Sequence, residues 1–425
     1  MLPFDSSQRN DEQSRRNFMA TMAKSCLGVS FMPALAGLAE AQSRGARPKQ
    51  VIYLFMTGAM SHLDTFDPKP KNKEVQGETG VINTKTRGMQ LSEHMSGLAK
   101  ISDKFSIIRS LSTTTGAHGP ARYLMRTSYK PIASTRHPGL GSLFQKYAGK
   151  ISKDLPPTVQ IGGGEGPGYL GAQYAPVPIG DPARGLENTK TPAYLSENAF
   201  DKRIELSQAF DSGFRRRAAR SSKVSGYDDL YADAIRLLRS DDLKAFDINQ
   251  EPAKQKEAYG ETRFGRGALL ARRLVENGVR FVEVSFGGWD NHRDIFNTIP
   301  ARASELDKVA STLINDLAQK GLLNSTLVVI GSEFGRKPKI NQNSGRDHHP
   351  AAFSGLLAGA GIKSGQVIGK SDDEGFYVDD EHASVEDFNA TIAKAIDVPH
   401  NEEIYSPTGR PFTFSNGGEP IKKLV

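Results

Sequence analysis

The run from Thr326 to Pro350, TLVVIGSEFGRKPKINQNSGRDHHP, constrains this chain more than any other stretch. Leu327, Val328, Val329 and Ile330 are all apolar, the pattern of a strand covered on both faces within a parallel sheet. Gly331 is expected to end it. In open parallel sheets ligands sit beyond the carboxyl ends of the strands, so Ser332, Glu333, Gly335 and Arg336 fall where a site is expected. Further on, Gly345 to Pro350 packs Arg346, Asp347, His348 and His349 into one turn-rich loop.

The rest of the chain supports such a sheet. Its 425 residues include 42 Gly and 23 Pro, many loops for a core this large, which suits an α/β enzyme better than a helical bundle. Val51 to Met56 reads as a central first strand, followed by a loop carrying Ser61, His62, Asp64 and Asp67. Residues 68–92 read as a surface excursion and Phe105 to Ile108 as a second strand. Thr113 to Thr127 is a turn that opens a helix, with His118 at its start. Gly162 to Gly168 lacks the Lys-Ser/Thr of a phosphate loop and reads as a plain loop. Residues 196–275 are mainly helical by apolar spacing. Arg280 to Phe286 is the next strand, Ser304 to Lys320 an amphipathic helix that leads into the opening strand, and strand–helix–strand order predicts parallel pairing. Phe353 to Ala358 is a further strand and Val385 to Ile396 a further helix.

The N-terminus carries a transport signal. Ser14-Arg15-Arg16-Asn17-Phe18-Met19 resembles the twin-arginine motif, followed by an apolar stretch from Leu27 to Ala39 that is too short to span a bilayer. Ala39-Glu40-Ala41 is a small-x-small cleavage site, so residues 1–41 are expected to be a signal peptide and the mature chain to start near Gln42; Ala34-Leu35-Ala36 is the second choice. The only cysteine, Cys26, lies inside it. The expected location is the periplasm or outside the cell, with the twin-arginine translocase as a partner in export and no integral membrane segment in the mature chain.

Residues 1–41 carry four basic and four acidic side chains, so the whole net charge of +7 belongs to the remainder. The excess favours anionic partners. Phe214-Arg215-Arg216-Arg217 stands alone, without a nucleic-acid-binding module around it, and reads as a solvated helix face.

Three loops, each after an expected strand, carry Asp290 and His292, then Glu333, then Asp347, His348 and His349; two earlier loops carry Asp64 and His118. Carboxylates and imidazoles without cysteine are the ligand set of Zn²⁺ or Mn²⁺ in hydrolases. A helix start at His118 would depress its pKa and favour the neutral, nucleophilic ring, with Arg122 one turn on to hold an anion.

The pieces SHLDTFDPKP, YGETRFGRGALLARRLVENGVRFVEV, GGWDNH, SEFGRKPKI and GRDHHP resemble the domain of unknown function 1501 family, twin-arginine-exported proteins of the alkaline phosphatase-like superfamily. The resemblance implies one alkaline phosphatase-like domain over residues 42–425, an α/β fold with a large, mostly parallel sheet sandwiched by helices. It also implies a phosphatase- or sulfatase-like metal site. Asp290 and His292 would correspond to an Asp and His ligand pair completed by His348, with Asp64, Glu333 and Asp347 as further candidates. The ion would be divalent, Zn²⁺ first, with Mn²⁺ or Ca²⁺ as alternatives. His118-Gly-Pro-Ala-Arg122 is similar to the sulfatase nucleophile turn. Thr57 stands where the superfamily has an aspartate, Glu333-Phe334 replaces an Asp-His pair, and neither Cys nor Ser occupies the nucleophile place, which excludes formylglycine chemistry and favours one metal over two.

Two function classes follow. One is an exported metal-dependent hydrolase of phosphate or sulfate esters, acting on an anionic small molecule or glycan, with His118 and Arg122 catalytic and Arg336 and Arg346 clamping the substrate anion. The other is a non-catalytic metal- or anion-binding envelope protein on the same scaffold.

Overall fold

The computed structural model describes residues 49–187, 189, 194, 196, 198–203, 205, 206 and 222–425. The expected transport signal, the expected mature start and the Phe214-to-Arg217 run lie outside these residues.

Alternation builds the molecule from its first strand outward. Successive side chains of a strand point to opposite faces, and in Gln50–Met56 every residue is buried. Ile52, Leu54 and Met56 join one apolar core, while Val51, Tyr53 and Phe55 join another. A strand with two buried faces needs cover on both, and helices supply it. Truncating Leu54 to Ala would therefore cost about 2–5 kcal/mol, the range for a buried leucine.

The central sheet has nine strands, numbered here in chain order: β1 Gln50–Met56, β2 Phe105–Ser112, β3 Thr158–Ile161, β4 Val177–Ile179, β5 Phe281–Phe286, β6 Thr326–Ser332, β7 Phe353–Ala358, β8 Val367–Ile368 and β9 Ala383–Ser384. They lie in the order β8-β2-β7-β6-β1-β5-β3-β4, with β9 also paired to β2. β1 is central as expected, flanked in parallel by β5 and β6, with Met56 opposite both Phe286 and Ser332. β7 is antiparallel to both neighbours, and every other pairing in the sheet is parallel.

That reversal matters for the site. The segment that precedes β7 reaches the same sheet edge as the segments that follow β1, β5 and β6.

Among the described residues six α-helices of nine or more residues pack around the sheet: α1 His118–Thr127, α2 Leu140–Ala148, α3 Ser222–Arg239, α4 Arg263–Glu276, α5 Ile295–Gln319 and α6 Val385–Ala395. Local signals fix their starts. The Thr262 hydroxyl accepts from Gly265 N–H at the head of α4, and Ser384 with Asp387 forms a capping box on α6. α5 starts nine residues before the Ser304 expected from periodicity and runs through Pro300. Burial of Ile295 and Ile299 holds the added turns.

Three further expectations shift. β6 continues past Gly331 to Ser332, and β2 continues past Ile108 to Ser112. Residues 68–92 contain a short hairpin, Val81–Asn83 with Gln90–Ser92, which buries Met89 and Leu91 rather than lying wholly on the surface. Among the described residues no helix is long and apolar enough to cross a membrane.

Candidate metal centre

The loop after β5 supplies Asp290 and His292, and the segment before β7 supplies His348. These three meet. Asp290 Oδ1 lies 3.1 Å from His292 Nε2 and 3.2 Å from His348 Nε2, and the two imidazole nitrogens are 3.0 Å apart. Bonds of about 2.1 Å to a small divalent cation place neighbouring donors roughly 3.0–3.4 Å apart in octahedral or tetrahedral geometry. The triangle matches that edge.

Hydrogen bonds set the tautomers. His348 Nδ1 lies 2.7 Å from the Gly116 carbonyl, which only accepts, so Nδ1 carries the proton and Nε2 keeps its lone pair. His292 Nδ1 lies 3.1 Å from Asp347 Oδ1, so Nδ1 carries the proton, and its Nε2 lone pair accepts a guanidinium N–H of Arg336 at 3.4 Å, a long contact that a bound ion would replace. Two imidazole nitrogens and a carboxylate oxygen then converge, a donor set that fits a divalent cation. Metal-ligating histidines characteristically give their other N–H to a carboxylate or carbonyl, as both do here.

His118 adds a third ring. As the first residue of α1 it hands Nδ1–H to Glu333 Oε1 at 2.9 Å and points Nε2 at Asp290 Oδ2, 3.3 Å away. That Nε2 is buried without a hydrogen-bond partner. His118, Asp290 and His348 present donor atoms all within 4.8 Å of one another, so an ion seated on the triangle lies within reach of His118. The residues present fit a divalent metal.

Charge follows the geometry. Burial opposes ionisation of Asp290, but the hydrogen bond and charge of Arg336, with His348 and His118, outweigh it and hold its pKa down to about 2. Burial, then the charge of Arg336, lowers the pKa of His348 and keeps it neutral. The pKa of His118 is raised, first by its hydrogen bond to Glu333 against the opposing effect of burial. The expectation that the helix start would depress it is corrected, because a buried carboxylate in contact outweighs a partial charge at a helix end.

The remaining expected site residues separate into two groups. Glu333 is fully buried behind His118 and also accepts the Gly58 N–H at 2.9 Å, while Asp347 stands behind His292 and is held by Asn341 at 3.0 Å. Both orient rings. Asp64 and Arg346 form a second, fully buried group: Arg346 Nε donates to Asp64 Oδ2 at 2.8 Å, and Thr79 and Ser61 fill out the carboxylate. This corrects the reading of Asp64 as a ligand and of Arg346 as a substrate clamp. Arg336 is also fully buried, bound to Asp290 and to the carbonyls of Gly58 and Ala59, so it braces the centre and does not face a substrate. Arg122, half-buried one turn beyond His118, has no hydrogen bond or ion pair among the described residues.

Sequence reasoning missed Gly116, Asn341 and the Phe334 ring, which packs 5.1 Å from His118 and 5.0 Å from His348. A carbonyl has no signature in a sequence, but Phe334 beside Glu333 could have been noted as an apolar wall.

A family model described as a protein of unknown function, DUF1501, matches residues 48–425. The chain belongs to the DUF1501 family. No curated protein matches it. Among solved structures this DUF1501 chain is similar to the lipoteichoic acid synthase LtaP from Listeria monocytogenes, at 11% identity over 88% of this chain and 76% of that one, with a TM-score of 0.41. It is similar to a phosphonate monoester hydrolase from Silicibacter pomeroyi at 12% identity, 88% and 76% coverage and a TM-score of 0.37. A third is an alkaline phosphatase superfamily protein from Vibrio parahaemolyticus, at 10% identity, 97% and 79% coverage and a TM-score of 0.38.

Proposed function

We propose that this protein is a metal-dependent hydrolase of phosphate or sulfate esters, with Asp290, His292 and His348 holding one divalent ion of the Zn²⁺ or Mn²⁺ class. The facing lone pairs of His292 and His348 beside Asp290 carry the reading. Such an ion, held by Asp290, His292 and His348, would supply Lewis-acid chemistry to an ester bond.

The chain's own groups do the rest. Glu333 holds His118 so that Nε2 faces the Asp290 side of the centre as a proton acceptor for the attacking water, in the manner of a histidine–carboxylate pair. Arg122 offers an unpaired guanidinium to the ester anion. Imidazole donors favour a borderline transition metal over Ca²⁺, which takes six to eight oxygens in general.

Metal analysis of purified protein, followed by a screen of aryl phosphates and aryl sulfates, tests this. Metal-dependent turnover of either class supports it. Bound metal with no turnover of any ester favours the non-catalytic binding protein instead.

We also propose export through the twin-arginine pathway, from Arg15-Arg16 and the apolar stretch behind them. Replacing both arginines by lysine should keep the precursor in the cytoplasm, because the pathway reads the guanidinium pair. Normal export of the double variant overturns it.

A further inference from the structure

We infer a second binding site in this protein, for a free straight-chain fatty acid whose methyl end enters a slot between α3 and the edge of the sheet and whose carboxylate meets Lys146. The slot lies at the far end of the sheet from the metal centre. Leu155 and Pro157 precede β3 and Val177 begins β4; with Leu186, Ala234 and Leu237 they line a cavity of about 60 Å³ at the amino ends of these strands. The metal centre stands beyond the carboxyl ends. A six-residue strand such as β5 spans roughly 20 Å, so the two places are separate.

A small residue opens the slot. Leu230, Ala234 and Leu237 are four and three residues apart, so they share one face of α3, and all three line the cavity. Leu237 is buried in the same apolar core as Leu155, Val177 and Leu186. The methyl group of Ala234 does not fill the space between the two leucines. Protein interiors keep few apolar voids larger than a water molecule, because the lining atoms forfeit their contacts, and an alkyl chain would restore them. An apolar cavity of about 150 Å³ holds a benzene ring. One of about 60 Å³ admits the end of an unbranched chain and excludes a ring.

The mouth supplies the charge. Gln145, Lys150, Gln173 and Asp233 line both the slot and a wider hollow of about 440 Å³ beside it. Three cations face that hollow, Lys146, Lys150 and Arg236, against the single carboxylate of Asp233, a net formal charge of +2. Lys150 and Arg236 are both paired with Asp233, Arg236 at 2.8 Å. Lys146 Nζ lies 5.6 Å from the centre of the Tyr174 ring and has no carboxylate partner among the described residues. A narrow apolar slot that opens on an unneutralised cation matches an alkyl chain that ends in an anion.

Isothermal titration of the purified protein with octanoate tests this, with a chelator present so that the metal centre takes no part. One octanoate per chain is expected, with affinity rising about four-fold for each methylene added between butanoate and octanoate. Ala234→Leu, which fills the slot, should abolish binding while keeping or raising the melting temperature. Lys146→Gln should weaken binding about five-fold, the measure of a partly exposed ion pair. Adamantanecarboxylate, an anion too wide for the slot, should not bind. No uptake of octanoate, equal affinity along the chain-length series, or full affinity in Ala234→Leu overturns the inference. So does binding to anionic phospholipid vesicles without uptake of free octanoate, which would make the partner a membrane surface.

Discussion

A Cβ on Gly58 would lie 2.7 Å from the backbone nitrogen of Asp290, so the loop after β1 and the loop after β5 are pressed together at a point only glycine allows. Gly58 also has φ of +115°, a conformation that side chains strain against. Its N–H bonds Glu333 and its carbonyl bonds Arg336, which ties in the loop after β6. Three loops thus share one contact. Gly58→Ala should lower stability by roughly 1–3 kcal/mol, the usual range for a strained backbone position, and should weaken metal binding by displacing Asp290. Denaturant unfolding and calorimetric titration check both; an unchanged metal affinity would show that the Asp290 loop sets its own position.

Metal should stabilise the fold. Binding to the native state alone adds RT ln(1 + [L]/Kd), about 2.7 kcal/mol at a hundred-fold excess over Kd. Melting temperature should therefore rise with Zn²⁺ and fall again on chelation, and Asp290→Asn or His348→Ala should each remove most of the rise. Trp289, the single tryptophan, is buried against Phe286 next to Asp290, so its emission reports loading of this loop. Equal melting with metal and with chelator would sink the assignment.

His118 and Arg122 should separate chemistry from binding. His118→Ala keeps the Asp290–His292–His348 triangle, so it should still bind metal and melt normally while turnover of the best ester falls by about 10²–10⁴, the usual contribution of a positioned acid–base group. Glu333→Gln should lower kcat by loosening the ring, while Arg122→Gln should act mainly on KM for the anionic substrate. Wild-type turnover in His118→Ala would make that residue scaffold.

Much of this architecture is legible in the sequence because its signals are local. Apolar runs place β1, β5, β6 and β7 to within a few residues, and GGWDNH and GRDHHP place Asp290, His292 and His348 at strand ends. What the sequence does not carry is direction. Nothing in Phe353 to Ala358 says that β7 runs against its neighbours, yet that reversal delivers His348 to the site. Charge type alone also cannot separate Arg122 from Arg336 and Arg346. All three look like anion clamps, but the two buried ones are paired with Asp290 and Asp64 of this same chain. Of the three, only the half-buried Arg122 has no such partner among the described residues.

Stability should depend on pH through His137, which lies away from the metal centre. It is 1% exposed, stacks on Tyr129 at 4.3 Å and packs edge-on against Phe412 at 4.8 Å. The Tyr123 hydroxyl accepts from the His137 backbone N–H at 2.6 Å and donates to Nδ1 at 2.9 Å, so protonating Nδ1 would break that bond in a site with no water to replace it. Burial, then the charge of Arg410, lowers its pKa from 6.5 to about 4. Between those values the unfolded chain binds more protons than the native one, so stability falls as pH drops from 6.5 and the loss levels off below about 4. At about 1.4 kcal/mol for each pKa unit, the full loss is about 3 kcal/mol. His137→Gln, which cannot titrate, should start less stable at neutral pH and show a shallower decline over this window in urea unfolding. If the two proteins lose stability in parallel as pH is lowered, His137 is not the titrating group.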